Sequence, residues 1–160
     1  MILPITTYPT PSLFEASEHI DAPFLLRKET QTLIDNMIDT MYADDGIGLA
    51  APQIGKNIQL CVIGRDAFKD HDNPQDTALI NPRWEPMSRK KVWDTEGCLS
   101  VPKTYGKVRR YKEIRVVAKD RTGKELIFEA KGFLARVIQH EVDHLNGILF
   151  IDKAKGIYTV

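Results

Sequence analysis

Residues 139–147 read Gln-His-Glu-Val-Asp-His-Leu-Asn-Gly, and this stretch decides the fold. On a helix, His140 and His144 stand four residues apart and share a face, so two imidazoles can meet one metal ion with Glu141 beside them. The helical period begins at Lys131, and Gly147 is well placed to end it. The stretch therefore predicts a motif helix over residues 131–147 that supplies two ligands of a metal site and needs a third.

Length and charge restrict the function classes that remain. A chain of 160 residues is long enough to bury a core as one catalytic domain, residues 1–160. Its 22 basic and 22 acidic residues cancel, which predicts neither a broad nucleic-acid surface nor a membrane surface. The N-terminus lacks a basic region and its apolar run is broken at Pro4, so we predict neither a signal peptide nor a membrane span. With only Cys61 and Cys98, free thiols in a reducing cytoplasm are expected.

The rest of the chain alternates between helical and strand patterns, which predicts an α+β fold. Proline-rich residues 1–23 predict an arm that lies on the domain. Residues 24–43 carry apolar side chains at spacings of three and four, which is typical of an amphipathic helix. Strands are predicted from β-rich runs at residues 58–63, 78–80, 89–93, 114–118 and 125–130.

A run of small residues, Gly46–Gly55, allows a backbone to approach a ligand closely. It is not a dinucleotide fingerprint, because it follows a helix and runs into Pro52, and no Gly-Lys-Ser/Thr follows it. Two interpretations remain at this point. The run is a segment whose amides pair with an extended ligand and whose Gln53 offers an amide to a substrate oxygen, or it is a tight surface turn.

The position of the third ligand separates classes of zinc hydrolase. One class needs a histidine six residues after the second, but that position is Phe150. Another takes a glutamate from downstream, and none follows Glu141. The third ligand must come from Asp152 or from upstream.

The upstream candidates are His19, His71, Cys98 and several carboxylates. Cys98 is preferred because it lies in an irregular segment beside Gly97, where a thiolate is free of the alternation of a strand. Two imidazoles, one thiolate and one water make a catalytic site with an open position.

Helical spacing also predicts a pocket. Phe133 and Val137 share a face with His140 and His144, so the metal should lie at the end of an apolar pocket floored by Phe133 and Val137. The other apolar stripe is expected in the core and consists of Leu134, Ile138, Val142 and Leu145.

The basic cluster Lys107–Lys112 precedes the predicted hairpin of residues 114–130. We interpret it as a solvated strand face and not as a nucleic-acid patch, because the chain is neutral and no aromatic stacking series accompanies the cluster.

Three segments together, Gly46–Gln53, Glu96–Ser100 and Gln139–Gly147, closely resemble the three motifs of peptide deformylase in order, spacing and intervening hairpin. The resemblance spans residues 24–151. It implies that Cys98, His140 and His144 hold the metal. It also implies antiparallel strands wrapped around a central metal-binding helix, with a second helix from the N-terminal half packed outside. The implied reaction is hydrolysis of the N-formyl group of formylmethionyl nascent peptides, with release of formate.

The resemblance extends to the roles of individual residues. Glu141 would take a proton from water and deliver it to the departing amine, while Gln53 and the Leu99 N–H would stabilise the developing oxyanion. Ile47, Gly48 and Gly97 would hydrogen-bond the peptide backbone. Phe133 and Val137 would line the methionine pocket, and Tyr105 would touch the substrate backbone. Around the ligands, Glu96 would pair with Arg110, and Asp143 would orient a histidine.

Cofactor and partners follow from the same resemblance. The family usually employs iron(II) and accepts zinc, nickel or cobalt, so one divalent ion is expected here. Ribosome contact, if present, would be weak or would not use the C-terminal helix found in many bacterial relatives, since thirteen residues follow Gly147. The N-terminal stretch Pro9–Phe14 departs from the Pro-Asp…Leu-Arg pattern of many members. Two other functions stay open, a metalloprotease of another class and a non-catalytic metal-binding module.

Overall fold

The computed structural model describes residues 1–160 and contains three α-helices and eight strands. The helices are α1 (Ala22–Leu25), α2 (Lys28–Ala43) and α3 (Gly132–Leu145). The strands are β1 (Gly48–Ala50), β2 (Leu60–Ile63), β3 (Thr77–Pro86), β4 (Lys91–Cys98), β5 (Val101–Tyr111), β6 (Glu113–Lys119), β7 (Glu125–Lys131) and β8 (Lys155–Thr159). They form a five-stranded sheet in the order β1-β2-β3-β6-β7 and a three-stranded sheet in the order β4-β5-β8, both antiparallel.

Strand β2 is buried on both faces, and its successive side chains pack in two different core clusters. Cys61 and Ile63 pack in the cluster that contains the apolar stripe of α3, whereas Leu60 and Val62 pack in the cluster that contains α2. Helix α3 therefore lies inside the strands and α2 lies on the opposite face of the five-stranded sheet. The predicted α+β fold with a central motif helix is confirmed, as is the core position of Cys61.

The expected helix over residues 24–43 is two helices. Arg27 has extended backbone angles, which separate α1 from α2. The Thr30 hydroxyl donates to the Phe24 carbonyl at 2.7 Å and the Gln31 amide donates to the Leu25 carbonyl at 3.0 Å. These side chains satisfy carbonyl groups that a continuous helix would have paired with backbone N–H groups, which is why the break is tolerated.

The segment around Cys98 is more regular than expected. Residues Glu96–Cys98 end strand β4, and only Leu99 and Ser100 form a turn before β5. The register shifts between Gly97, which pairs with Tyr105, and Cys98, which pairs with Val101. A bulge of this kind re-aims a side chain without ending the strand, and its signal in the sequence is no more than the glycine.

The N-terminal residues make backbone hydrogen bonds to three parts of the domain. Thr6 N–H donates to the Gln53 carbonyl at 2.7 Å, Tyr8 N–H donates to the Ser100 carbonyl at 2.8 Å and Ser17 N–H donates to the Leu145 carbonyl at 2.8 Å. The first 17 residues thus contact all three sequence motifs. None of the helices is both long and apolar enough to cross a bilayer.

Candidate metal centre and substrate cleft

Helix α3 carries the chemistry of the site in the middle of the molecule. Every residue from Leu134 to Leu145 is buried, including two histidines, a glutamate and an aspartate. The helix ends at Leu145, and Gly147 follows its C-cap with a φ of +75° that suits glycine, at a place where a Cβ would lie 2.5 Å from the Phe14 carbonyl oxygen. Because buried polar groups must find partners, the surroundings of each of these side chains define what it can do.

Cys98, His140 and His144 come together at the end of β4 and on one face of α3. Their three ligand atoms all lie within 4.8 Å of one another. The Cys98 Sγ lies 3.3 Å from the His144 Nε2. Burial lowers the pKa of His144 well below its usual value, which favours the neutral imidazole that a metal requires.

The alternative third ligands lie elsewhere. His19 is exposed beside Asn81, and His71 packs edge-on against Phe68. The Asp152 carboxylate accepts a hydrogen bond from the Leu149 N–H at 3.0 Å. Phe150, at the position where one protease class has a histidine, is 1% exposed and stacks on His140 with ring centroids 6.2 Å apart.

The three residues fit a divalent transition metal. One thiolate and two imidazoles are a donor set that zinc and iron(II) accept, with one coordination position left open. In a tetrahedral site with usual bond lengths, sulfur and nitrogen ligands are about 3.6 Å apart. The observed 3.3 Å between Cys98 Sγ and His144 Nε2 is close to that value, and all three ligand atoms lie within 4.8 Å of one another, so one ion could contact all three.

Glu96 connects the ligand His140 to two arginines. Its carboxylate accepts from Arg110 Nε at 2.7 Å, Arg110 Nη2 at 2.8 Å and Arg136 Nη1 at 2.6 Å, and it lies 2.9 Å from His140 Nδ1. Burial raises its pKa, but the hydrogen bonds from Arg110 and His140 outweigh burial and hold the pKa well below its usual range. The ionised carboxylate accepts a hydrogen bond from the His140 Nδ1–H, which leaves Nε2 to bind a metal.

Asp143 forms no hydrogen bond with either histidine, so the prediction that it orients a histidine directly is wrong. Its carboxylate accepts from Arg110 Nη1 at 2.7 Å and lies 3.0 Å from Lys153 Nζ. Successive residues on a helix are about 100° apart, so Asp143 projects from a different face than its neighbour His144. The His144 Nδ1 is buried without a hydrogen-bond partner. Asp143 therefore acts on Glu96 and His140 only through Arg110.

Glu141 is a buried carboxylate that faces the cleft. Burial raises its pKa to about 7, although the charge of His140 opposes the shift. Its Oε1 is buried and has no hydrogen-bond partner. The backbone of β1 lies directly against it, since a Cβ on Gly48 would be 2.7 Å from Glu141 Oε2. An unpaired acceptor with a pKa near neutrality is suited to take and return a proton.

Gln53 and Leu99 present donors on the other side of the ligand cluster. The Gln53 Oε1 accepts from the Ala50 N–H at 2.9 Å, which directs its Nε2 to Ser100 Oγ at 3.1 Å and Cys98 Sγ at 3.5 Å. The Leu99 N–H has no acceptor within the protein. Both donors border the cleft, and both belong to segments that the arm residues Thr6 and Tyr8 contact.

The cleft over this cluster has a volume of about 670 Å³ and runs between strands β1 and β4. Each of these strands is at the edge of its sheet, so both present unpaired backbone groups. Val137 is buried, whereas Phe133 is 54% exposed and lies at the rim and not on the floor. Six residues expected from the sequence to contact substrate line the cleft: Ile47, Gly48, Gly97, Tyr105, Phe133 and Val137.

Sequence reasoning missed Arg136 and Ser100. Arg136 donates to Glu96 and also to the carbonyls of Val108 at 2.9 Å and Val92 at 2.7 Å. In the sequence, Arg136 is marked only as a charged residue in an otherwise apolar helical run, four residues before His140. Ser100 is fully buried and accepts a hydrogen bond from the Gln53 amide; it lies in the motif Glu96–Ser100, but the sequence assigned it no role.

A family model described as polypeptide deformylase matches residues 2–159. The chain belongs to the peptide deformylase family. The relatives of known name agree with that assignment. A peptide deformylase of Psychrobacter arcticus is 44% identical over 94% of this chain and 78% of its own length. Peptide deformylase 2 of Vibrio cholerae is 47% identical over 94% of this chain and 85% of its own length.

Solved structures of peptide deformylases share the fold. One is the class I type b peptide deformylase from Acinetobacter baumannii bound to Met-Ala-Ser, which is 31% identical and superposes with a TM-score of 0.87 over 96% of this chain and 98% of that chain. Peptide deformylases are metal-dependent hydrolases that remove the formyl group from N-formylmethionine of newly made polypeptides. The metalloprotease and non-catalytic alternatives are therefore wrong, and the predicted enzyme class is confirmed.

Proposed function

We propose that Cys98, His140 and His144 hold one divalent ion and that Glu141 carries the proton in hydrolysis of a formylmethionyl peptide. The observation that supports this most is Glu141 itself, a buried carboxylate with an unpaired oxygen beside a three-ligand cluster. When bound, the ion would supply Lewis-acid chemistry that makes water a nucleophile near neutral pH.

The protein groups divide the remaining work. Glu141 takes a proton from the attacking water and transfers it to the amine nitrogen as the formyl C–N bond breaks, so formate and a free amino terminus leave. Charge grows on the formyl oxygen during attack. The Gln53 Nε2 and the free Leu99 N–H are the donors positioned to stabilise it, and loss of one such donor typically costs about a hundredfold in rate.

Substrate would bind as an added strand in the cleft. The edge strands β1 and β4 offer Ile47, Gly48 and Gly97 to the peptide backbone, and Tyr105 lies flat against Gly97, where a Cβ would be 2.7 Å from the Tyr105 ring. The methionine side chain would contact Val137 and Phe133. The Acinetobacter baumannii relative bound to Met-Ala-Ser makes a tripeptide of this length a suitable probe.

We further propose that the ion in the cell is iron(II), in the cytoplasm where nascent chains are made. The mixed thiolate and imidazole donor set admits iron(II) as well as zinc, nickel or cobalt. Anaerobic purification followed by elemental analysis tests this directly. Iron at one equivalent, with activity on formyl-Met-Ala-Ser that is lost in air, is expected. Zinc at one equivalent with activity stable in air would contradict it.

Contact with the ribosome through residues 148–160 would use a strand and not a long helix. Residues Lys155–Thr159 form strand β8, which pairs with β5.

A further inference from the structure

The outer face of the three-stranded sheet carries aromatic side chains among basic ones. Cross-strand pairs place Trp93 beside Arg109, Thr95 beside Lys107, and Tyr105 beside Tyr158. Residues paired directly across antiparallel strands project to the same side, so these side chains share one face. We call this set, together with Lys91 and Lys155, the outer sheet face.

The aromatic residues of this face are accessible to a partner. Trp93 is 42% exposed, Tyr158 is 52% exposed and Tyr105 is 37% exposed. The rings of Tyr105 and Tyr158 lie together with centroids 5.9 Å apart. In the sequence, the basic cluster of β5 is not accompanied by a series of aromatic residues on which bases could stack, which favours a strand face exposed to solvent. The fold supplies that series from β4 and β8.

The positive charge of this face has no counterpart. Four basic residues of this face are exposed and form no ion pair: Lys91, Lys107, Arg109 and Lys155. Lys155 Nζ lies 5.2 Å above the Trp93 ring, and Lys91 Nζ lies 4.7 Å above the Tyr111 ring. Asp94 alternates to the opposite side of β4, where its partner Val108 lies. The outer sheet face is therefore cationic although the whole chain is neutral.

A groove on this face has the size of a small-ligand site. Its volume is about 480 Å³, and its lining combines an indole, a phenol and two ammonium groups from Trp93, Tyr158, Lys107 and Lys155. Single-stranded nucleic acids are bound by this combination, in which bases stack on aromatic rings and phosphates lie against basic residues.

We infer that the outer sheet face binds single-stranded RNA. The outer sheet face combines aromatic rings with basic side chains that form no ion pair. Bases can stack on the rings and phosphates can lie against the basic groups, whereas a peptide offers no regular negative charge. Tyr105 and Thr95 lie both on this face and at the cleft, so bound RNA would lie beside the cleft.

The test measures binding of a fluorescein-labelled single-stranded RNA of about 12 nucleotides to the metal-loaded protein by anisotropy. Salt is varied from about 50 to about 200 mM. Trp93→Ala should weaken binding about fivefold or more through lost stacking. The double variant Lys107→Glu/Lys155→Glu should weaken it more than about tenfold and flatten the salt dependence by about 0.7 per lost phosphate contact.

A matched double variant, Lys56→Glu/Lys69→Glu, changes the same charge in connections of the five-stranded sheet and should leave RNA affinity within about twofold. All variants should keep wild-type formate release from formyl-Met-Ala-Ser, which shows that they are folded. The proposal is overturned if the wild type does not bind RNA, if the control pair loses as much affinity, or if Trp93→Ala has no effect. It also fails if polyglutamate binds as tightly as RNA.

Discussion

Arg136 shows how a single buried residue holds the site together. It comes from α3, yet it donates to the carboxylate of Glu96 and to backbone carbonyls of both β4 and β5. It thereby fixes the strand that ends in Cys98 to the helix that carries His140 and His144. Charge-assisted hydrogen bonds of this kind are strong because their geometry is fixed and water is excluded.

We predict that Arg136→Met lowers the free energy of unfolding by about 2–4 kcal/mol, because the carbonyls of Val92 and Val108 lose a donor and the buried Glu96 carboxylate loses one cation. Urea denaturation measures this. Arg115→Met is the matched control, since Arg115 forms an exposed pair with Glu85 at 3.6 Å and its loss should cost less than about 1 kcal/mol. Equal destabilisation by the two substitutions would refute the role given to Arg136.

At the scale of elements, the Glu141 carboxylate, the proposed proton carrier, lies between strand β1 and helix α3. Strand β1 approaches α3 so closely that any side chain at position 48 would have to displace the Glu141 carboxylate, since a Cβ there would lie 2.7 Å from Glu141 Oε2. The edge strand that we propose to bind the substrate backbone thus also sets the position of Glu141.

Gly48→Ala should therefore lower kcat/KM for formyl-Met-Ala-Ser by about a hundredfold, because the added methyl group must displace the Glu141 carboxylate. Gly123→Ala in the β6–β7 turn is the control. Its φ of +89° makes alanine costly for stability, by about 1 kcal/mol, but the turn is remote from the cleft and activity should be retained. Unimpaired turnover by Gly48→Ala would show that Glu141 is not held by this contact.

The elements also show which parts of the fold were predictable. The regular spacing of apolar residues predicted α2, α3 and the β6–β7 hairpin. An element that buries one face needs apolar side chains at the period of a helix or a strand, and the sequence shows that period. The short strand β1, the strand β8 and the full length of β5 were missed. Their pairing depends on partners distant in sequence, and their glycines and charged residues weaken the local pattern.

On the scale of the whole molecule, the ligand cluster joins two halves of the structure. Cys98 belongs to the three-stranded sheet, whereas His140 and His144 belong to the helix under the five-stranded sheet. A bound ion would cross-link the two, so its removal should weaken the entire fold and not only the reaction.

Chelation should lower the melting temperature by roughly 5–10 °C, which corresponds to about 2.7 kcal/mol for an ion present at a hundred times its Kd. Calorimetry before and after chelation, and after reloading, gives the shift. In Cys98→Ala, which lacks one ligand, the chelator should change the melting temperature much less. An identical response of this variant and the wild type would mean that the ion is bound elsewhere.

The sequence predicted the candidate metal ligands more completely than the residues that form hydrogen bonds around them. His140, Glu141 and His144 are marked by helical spacing, whereas Cys98 was only the preferred one of several upstream candidates until the resemblance to peptide deformylase implied it. Arg136, Ser100 and the orientation of Asp143 could not be predicted, because each depends on which backbone carbonyl or side chain the fold brings within hydrogen-bond distance. For the same reason the aromatic residues of the outer sheet face became visible only once β4, β5 and β8 were paired.

We propose that Glu141 transfers the proton in metal-dependent deformylation. Formate release from formyl-Met-Ala-Ser measures this reaction directly. The wild type and Glu141→Gln are compared at equal metal content, with glutamine keeping the size of the side chain. The wild type should turn over, and Glu141→Gln should lose activity by about 10²–10⁴-fold while it still binds the ion. Full activity in Glu141→Gln, or no formate from the wild type, would contradict it.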